Sequence, residues 1–221
     1  MMAYTMLARP IQASVFPSIM AWLIAVSFIN IPFELGYLLY QGKKLNGYLS
    51  LKGVIFYNQR FKGGKILLWT ILTFIAVIVL FILSEPVTNF LQTTAFSWIP
   101  DWFILDFGLD NGEFSKSSLL IVNIASLLVF VVGIPIVEEF YFRGYLLSRL
   151  SFSGVWAILL NSFLFALYHF TTPWFLVSRF LFTLPLAYIT YRKKNLIPAI
   201  LVHAFANSVD VIMGFLFIFG N

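Results

Sequence analysis

The chain has 221 residues, of which 61% are hydrophobic, 19% aromatic and 10% charged, and 14 Lys and Arg against 9 Asp and Glu give a net charge of +5. That composition excludes an ordinary soluble globular domain and makes the bilayer the main solvent of the chain. Cysteine is absent, which excludes disulfides, thiolate metal ligands and cysteine nucleophiles together, and the basic excess is of the kind that orients membrane proteins, with no sign of nucleic-acid binding.

In chain order, apolar stretches lie at about residues 12–41, 66–84, 117–137, 154–172, 174–191 and 196–219. A spanning helix needs about 20 apolar residues, so these predict an all-α, polytopic transmembrane bundle of six spans. Residues 1–116 hold two spans and their loops, 117–221 the other four, within one membrane domain. The first stretch is longer than a signal-peptide core and no small-residue cleavage site follows it, so it is expected to span. The next loop carries Lys43, Lys44, Lys52, Arg60, Lys62 and Lys65 without an acid, which predicts a cytoplasmic loop. The loop after the second span has the opposite balance. It holds Glu85, Asp101, Asp106, Asp110 and Glu113 against Lys116, with Trp98 and Trp102, and reads as an external interfacial segment. Alternation then places Arg143, Arg149, Arg192, Lys193 and Lys194 inside and both termini outside.

Four acids, Glu34, Glu138, Glu139 and Asp210, and both histidines, His169 and His203, fall in or at the edge of apolar stretches. Ionisable groups there are costly and call for pairing, a water-filled cavity or chemistry. Glu34 follows Pro32 near the inner end of the first span and is expected to reach headgroup water. In Ile136-Val137-Glu138-Glu139-Phe140-Tyr141-Phe142-Arg143-Gly144, Glu139 and Arg143 stand at i and i+4 and can pair, while Glu138 is off that register. The arginine anchors one carboxylate and leaves the other suited to take a proton from water. The plainer reading is a paired-charge helix end.

Asn161, Phe165 and His169 follow at four-residue steps, and His203, Asn207 and Asp210 form a stripe on the last span. Each group alone reads equally as interhelical hydrogen bonding. Three spans that each present polar groups on one face point to a shared site: Glu138 and a histidine to activate water, the other histidine and Asn207 to hold an oxyanion. Two His and a Glu also make a zinc ligand set, Glu138, His169 and His203, although the HExxH helix is absent. A proton-coupled transporter using the same groups is disfavoured by the lack of internal repeats. Counting along straight helices at about 1.5 Å per residue puts Glu138 near the inner surface, His203 about 10 Å deep and His169 about 20 Å deep, so a kink or re-entrant break at Gly133 and Pro135 is expected before the Glu pair.

These residues resemble the CAAX protease and bacteriocin-processing (CPBP, or Abi) family, whose motifs EExxxR, FxxxH and HxxxN stand here as Glu138-Glu139 with Arg143, Phe165 with His169, and His203 with Asn207. The approach Asn195-Leu196-Ile197-Pro198-Ala199-Ile200 is also similar, and the resemblance covers about residues 117–210. It implies an intramembrane endopeptidase of the bacterial plasma membrane opening to the cytoplasmic side, with membrane lipid around it. Glu138 would be the base, His169 would help activate water, and His203 and Asn207 would form the oxyanion site. Glu139, Arg143 and Phe165 would support them, with Asp210 behind the His203 stripe. The family is described both as zinc metalloproteases and as metal-independent glutamate proteases. Its substrates would be peptides or lipidated proteins: a CAAX-type prenyl protein, a bacteriocin leader or a signalling peptide. The alternative is a non-enzymatic bacteriocin-immunity or sensor-regulating protein.

Overall fold

The computed structural model describes residues 2–57, 59–105, 107–109, 114–150 and 154–220, and among them the regular structure is helical, without a strand. Helix α1 covers Met2–Gln12. Then come α2, Ile19–Asn46, α3, Gly63–Ala95, α4, Lys116–Arg149, α5, Val155–Tyr168, α6, Pro173–Lys193, and α7, Ile197–Phe219. All but α1 and α5 are long and apolar enough to cross a membrane. With 14 residues, α5 is about 21 Å long and falls short of a hydrocarbon core of roughly 30 Å. The protein is therefore an integral, polytopic helical membrane protein, with five long apolar helices and one short one among the described residues. Asp106, Asp110 and Glu113 of the acidic loop lie outside the described residues.

Helix ends depart from the apolar windows for physical reasons. The first window begins at residue 12, but α2 starts at Ile19 after Pro17, which cannot donate a backbone hydrogen bond and opens the helix instead. The window that stops before Glu85 and Pro86 underestimates α3, which continues through both to Ala95. Helix α4 begins at the Ser115 cap, whose hydroxyl accepts from the Ser118 N–H at 3.1 Å. The expected break at Gly133 and Pro135 is not there. The helix widens into π-helical turns at Leu127–Gly133 and Glu139–Leu146 on either side of Ile134–Glu138, which absorbs the missing proline N–H without interrupting the helix.

The chain groups into two compact units, one of Met1–Phe33, Ile99–Pro135 and His203–Asn221, the other of Glu34–Trp98 and Ile136–Val202. In the first, Ile19, Leu23 and Val122 form a core with Phe107, Val129 and Phe130 around it, and Tyr4, Ala8, Ala21, Ala25 and Phe103 form another. Asn123 on α4 donates to the Val211 carbonyl of α7 at 3.0 Å, and a Cβ on Gly214 would stand 2.4 Å from the Asn123 Oδ1, so glycine is what lets these helices approach.

In the second unit α6 packs against both α3 and α5. Val77, Leu186, Ala199 and Val202 make one core cluster and Leu147, Ala157, Ile158 and Ala187 another, with a Thr88–Ser178 hydroxyl pair bridging α3 and α6. Small and hydroxyl residues at such contacts are how helices pack where lipid is as apolar as leucine. The loop between α2 and α3 is strapped to one end of this unit. Phe56 N–H donates to the Gly144 carbonyl at 2.9 Å and Gln59 N–H to the Lys194 carbonyl at 2.8 Å, while Arg149 reaches the Val54 carbonyl at 3.0 Å. The basic loop, the α4 end at Arg149 and the α6–α7 turn at Lys193 and Lys194 thereby share one basic end.

Candidate active site

The site is built on the second π-turn of α4. Glu139 and Arg143 are fully buried and paired at 3.1 Å. A guanidinium removed from water in this way is tolerable only with its carboxylate beside it, so Glu139 is committed to Arg143. The guanidinium also lies 4.3 Å from the Phe165 ring centroid, a favourable cation–π placement. Asn161, itself buried, donates to the Phe142 carbonyl at 2.8 Å and ties α5 to the same turn.

Phe165 touches His169 as well, with ring centroids 4.5 Å apart. His169 is the C-terminal cap of α5, and its Nδ1 lies 3.0 Å from the Phe165 carbonyl. A carbonyl can only accept, so Nδ1 carries the proton and, in the neutral ring, Nε2 carries the lone pair. That Nε2 stands 3.6 Å from Glu138 Oε1. The depth mismatch counted on straight helices closes because α4 runs 11 residues past Glu138 to Arg149, about 16 Å, while His169 lies 14 residues from Val155, about 21 Å. Glu138 is inside its helix, not at its end.

Three further groups belong here. Glu34, expected at headgroup water, is buried at 2% exposure. Helix α2 continues to Asn46, past the apolar window, and leaves Glu34 about 18 Å from that end. The Tyr168 side chain lies within hydrogen-bonding reach of Glu34. Tyr168 also meets the His169 ring edge-on at 5.0 Å. Arg179 on α6 was not singled out in the sequence. Its Nη1 donates to the carbonyls of His169 at 3.0 Å and Thr172 at 3.1 Å, and its charge acts on Glu138. The signal for it was a lone arginine in the apolar stretch 174–191.

His203, Asn207 and Asp210 lie in the other unit. His203 is buried, Asn207 Nδ2 donates to the Phe130 carbonyl at 2.8 Å, and Asp210 is exposed. The second unit therefore brings together Glu138, His169, Phe165, Glu139 and Arg143. A catalytic zinc takes three protein ligands, and among the described residues no group of three or more His, Cys, Asp or Glu is arranged to hold a metal ion. Within the second unit, Glu138 and His169 supply two of those three ligands.

Among known families, the model described as Type II CAAX prenyl endopeptidase Rce1-like matches residues 120–209. That segment contains all three motifs and ends one residue before Asp210. Comparison with curated proteins and with solved structures gave no match.

Proposed function

We propose, from the premise that residues 120–209 belong to the type II CAAX prenyl endopeptidase Rce1-like family, that the chain hydrolyses a peptide bond with water activated by Glu138 and His169. The observation that carries this reading is the 3.6 Å approach of His169 Nε2 to Glu138 Oε1, with Nδ1 held on the Phe165 carbonyl. Both facing atoms accept hydrogen bonds, so one water can donate to both, sitting off the line that joins them. Its oxygen attacks the peptide carbonyl carbon as a proton passes to Glu138. The tetrahedral intermediate then collapses, the C–N bond breaks and Glu138 returns the proton to the leaving amine, giving a carboxylic acid and an amine, which ionise to carboxylate and ammonium by moving the acid's proton to the amine. Glu139, Arg143 and Phe165 hold the turn and the imidazole in place. On the motif match alone, His203 and Asn207 are assigned as oxyanion donors. No step passes through a metal.

The substrate class is a membrane-associated peptide or protein terminus: a CAAX-type prenyl protein, a bacteriocin leader or a signalling peptide. The resemblance supports a bacterial plasma membrane. A cytoplasmic site is supported by the basic end of the second unit, since Glu138 lies 11 residues from Arg149 and 22 from Lys116 along α4.

The test is purified protein in lipid nanodiscs with peptides of each class, read by mass spectrometry with and without a chelator. Chelator-resistant cleavage that Glu138→Gln abolishes is expected. Chelator-sensitive cleavage restored by zinc would replace the metal-free step. Absence of cleavage together with an immunity or sensor phenotype that survives Glu138→Gln would replace the enzyme by a binding protein.

A further inference from the structure

The short helix α5 ends in a turn that α6 braces. At about 21 Å, α5 ends before it can cross a core of roughly 30 Å, and the last carbonyls of a helix have no partner within it. Away from water such groups are costly. In the turn that follows, the His169 carbonyl accepts from the Thr172 N–H at 3.3 Å and the Thr172 carbonyl from the Phe175 N–H at 3.0 Å, and Arg179, from the first turns of α6, adds a second donor to each, at 3.0 and 3.1 Å. The same guanidinium lies 5.3 Å from the Phe175 ring centroid. The residue whose carbonyl it holds is His169 itself, and the charge it brings acts on Glu138. Arg143, the other guanidinium beside the pair, is committed to Glu139.

The geometry points to Arg179 as a positioning residue for the hydrolytic reaction proposed above, on which this inference rests: it fixes the His169–Thr172 turn so that the imidazole Nε2 stays aimed at Glu138. A guanidinium suits this task because its planar fork gives several donors in fixed directions, whereas a lysine ammonium acts as a point charge.

Arg179→Gln and Arg179→Lys are prepared in the full chain, alone and with His169→Ala, and compared by kcat and KM on a peptide the wild type cleaves. A residue that acts through His169 lowers kcat by about 30-fold or more, leaves KM within about threefold, and adds no more than about threefold to the loss once His169 is alanine. Lysine at 179 gives an intermediate kcat and carries the test if the glutamine variant does not fold. A loss that multiplies with that of His169→Ala, a loss confined to KM, or full activity in Arg179→Gln overturns the assignment. A second readout needs no activity. The chain has 2 histidines, so their ring NMR signals are assigned by His169→Ala alone. Arg179→Gln is expected to shift or split the His169 signal, and an unchanged signal overturns the inference even if the protein cleaves no peptide.

Discussion

Adjacent glutamates where the second π-turn of α4 begins have different partners. Glu138 faces His169 across 3.6 Å, while Glu139 is fully buried against Arg143. Glu138→Gln keeps the shape of the side chain and removes its ability to take a proton. It is expected to lower kcat by about 10² to 10⁴, the range of a lost general base, with an unfolding midpoint close to that of the wild type. More than a tenth of the activity left would remove Glu138 from the reaction. Glu139→Gln leaves a buried guanidinium without its counter-charge and is expected to cost about 3–5 kcal/mol of stability, measured by unfolding in detergent. Glu139→Gln combined with Arg143→Met should recover much of that loss, because no unpaired charge remains. A Glu139→Gln protein of native stability would contradict the role given to the pair.

At the scale of helices, apolar windows found the spans because insertion depends on summed hydrophobicity, and they misplaced the ends because a window stops at the first charge or proline while a helix need not. Helix α3 runs through Glu85 and Pro86, and α2 runs to Asn46, which is how Glu34 became a buried group. The Glu139–Arg143 pair was legible from its spacing, as was the fact that Glu138 lies off that register. Arg179 was not, because its partners are backbone carbonyls, which sequence does not display. The π-turns around Pro135 were equally hidden, since a proline signals a missing N–H but not whether the helix breaks or widens. Close approach of two helices can be tested at Gly214. Gly214→Ala would set a Cβ 2.4 Å from Asn123 Oδ1 and is expected to destabilise by about 1–3 kcal/mol through overpacking. Asn123→Ala should relieve the clash, so in that background Gly214→Ala costs less. An equal cost in both backgrounds would show that Asn123 is not what Gly214 accommodates.

For the whole molecule, orientation decides which compartment meets the site. The loop between α2 and α3 carries Lys43, Lys44, Lys52, Arg60, Lys62 and Lys65 at its flanks and within it, with no acid among residues 43–65. Basic loops stay in the cytoplasm, so this loop and the Arg149 and Lys194 ends strapped to it should lie there. Helix α3, with 33 residues, is long enough to carry the chain to the opposite face before Ser97. Because the chain contains no cysteine, single substitutions report without background. Lys52→Cys and Ser97→Cys are both at exposed positions. In intact cells a membrane-impermeant maleimide is expected to label Ser97→Cys and spare Lys52→Cys, and permeabilisation should expose both. Inverted labelling would turn the basic end outward and give the site an external substrate. Labelling of both in intact cells would mean that α3 does not separate the two compartments.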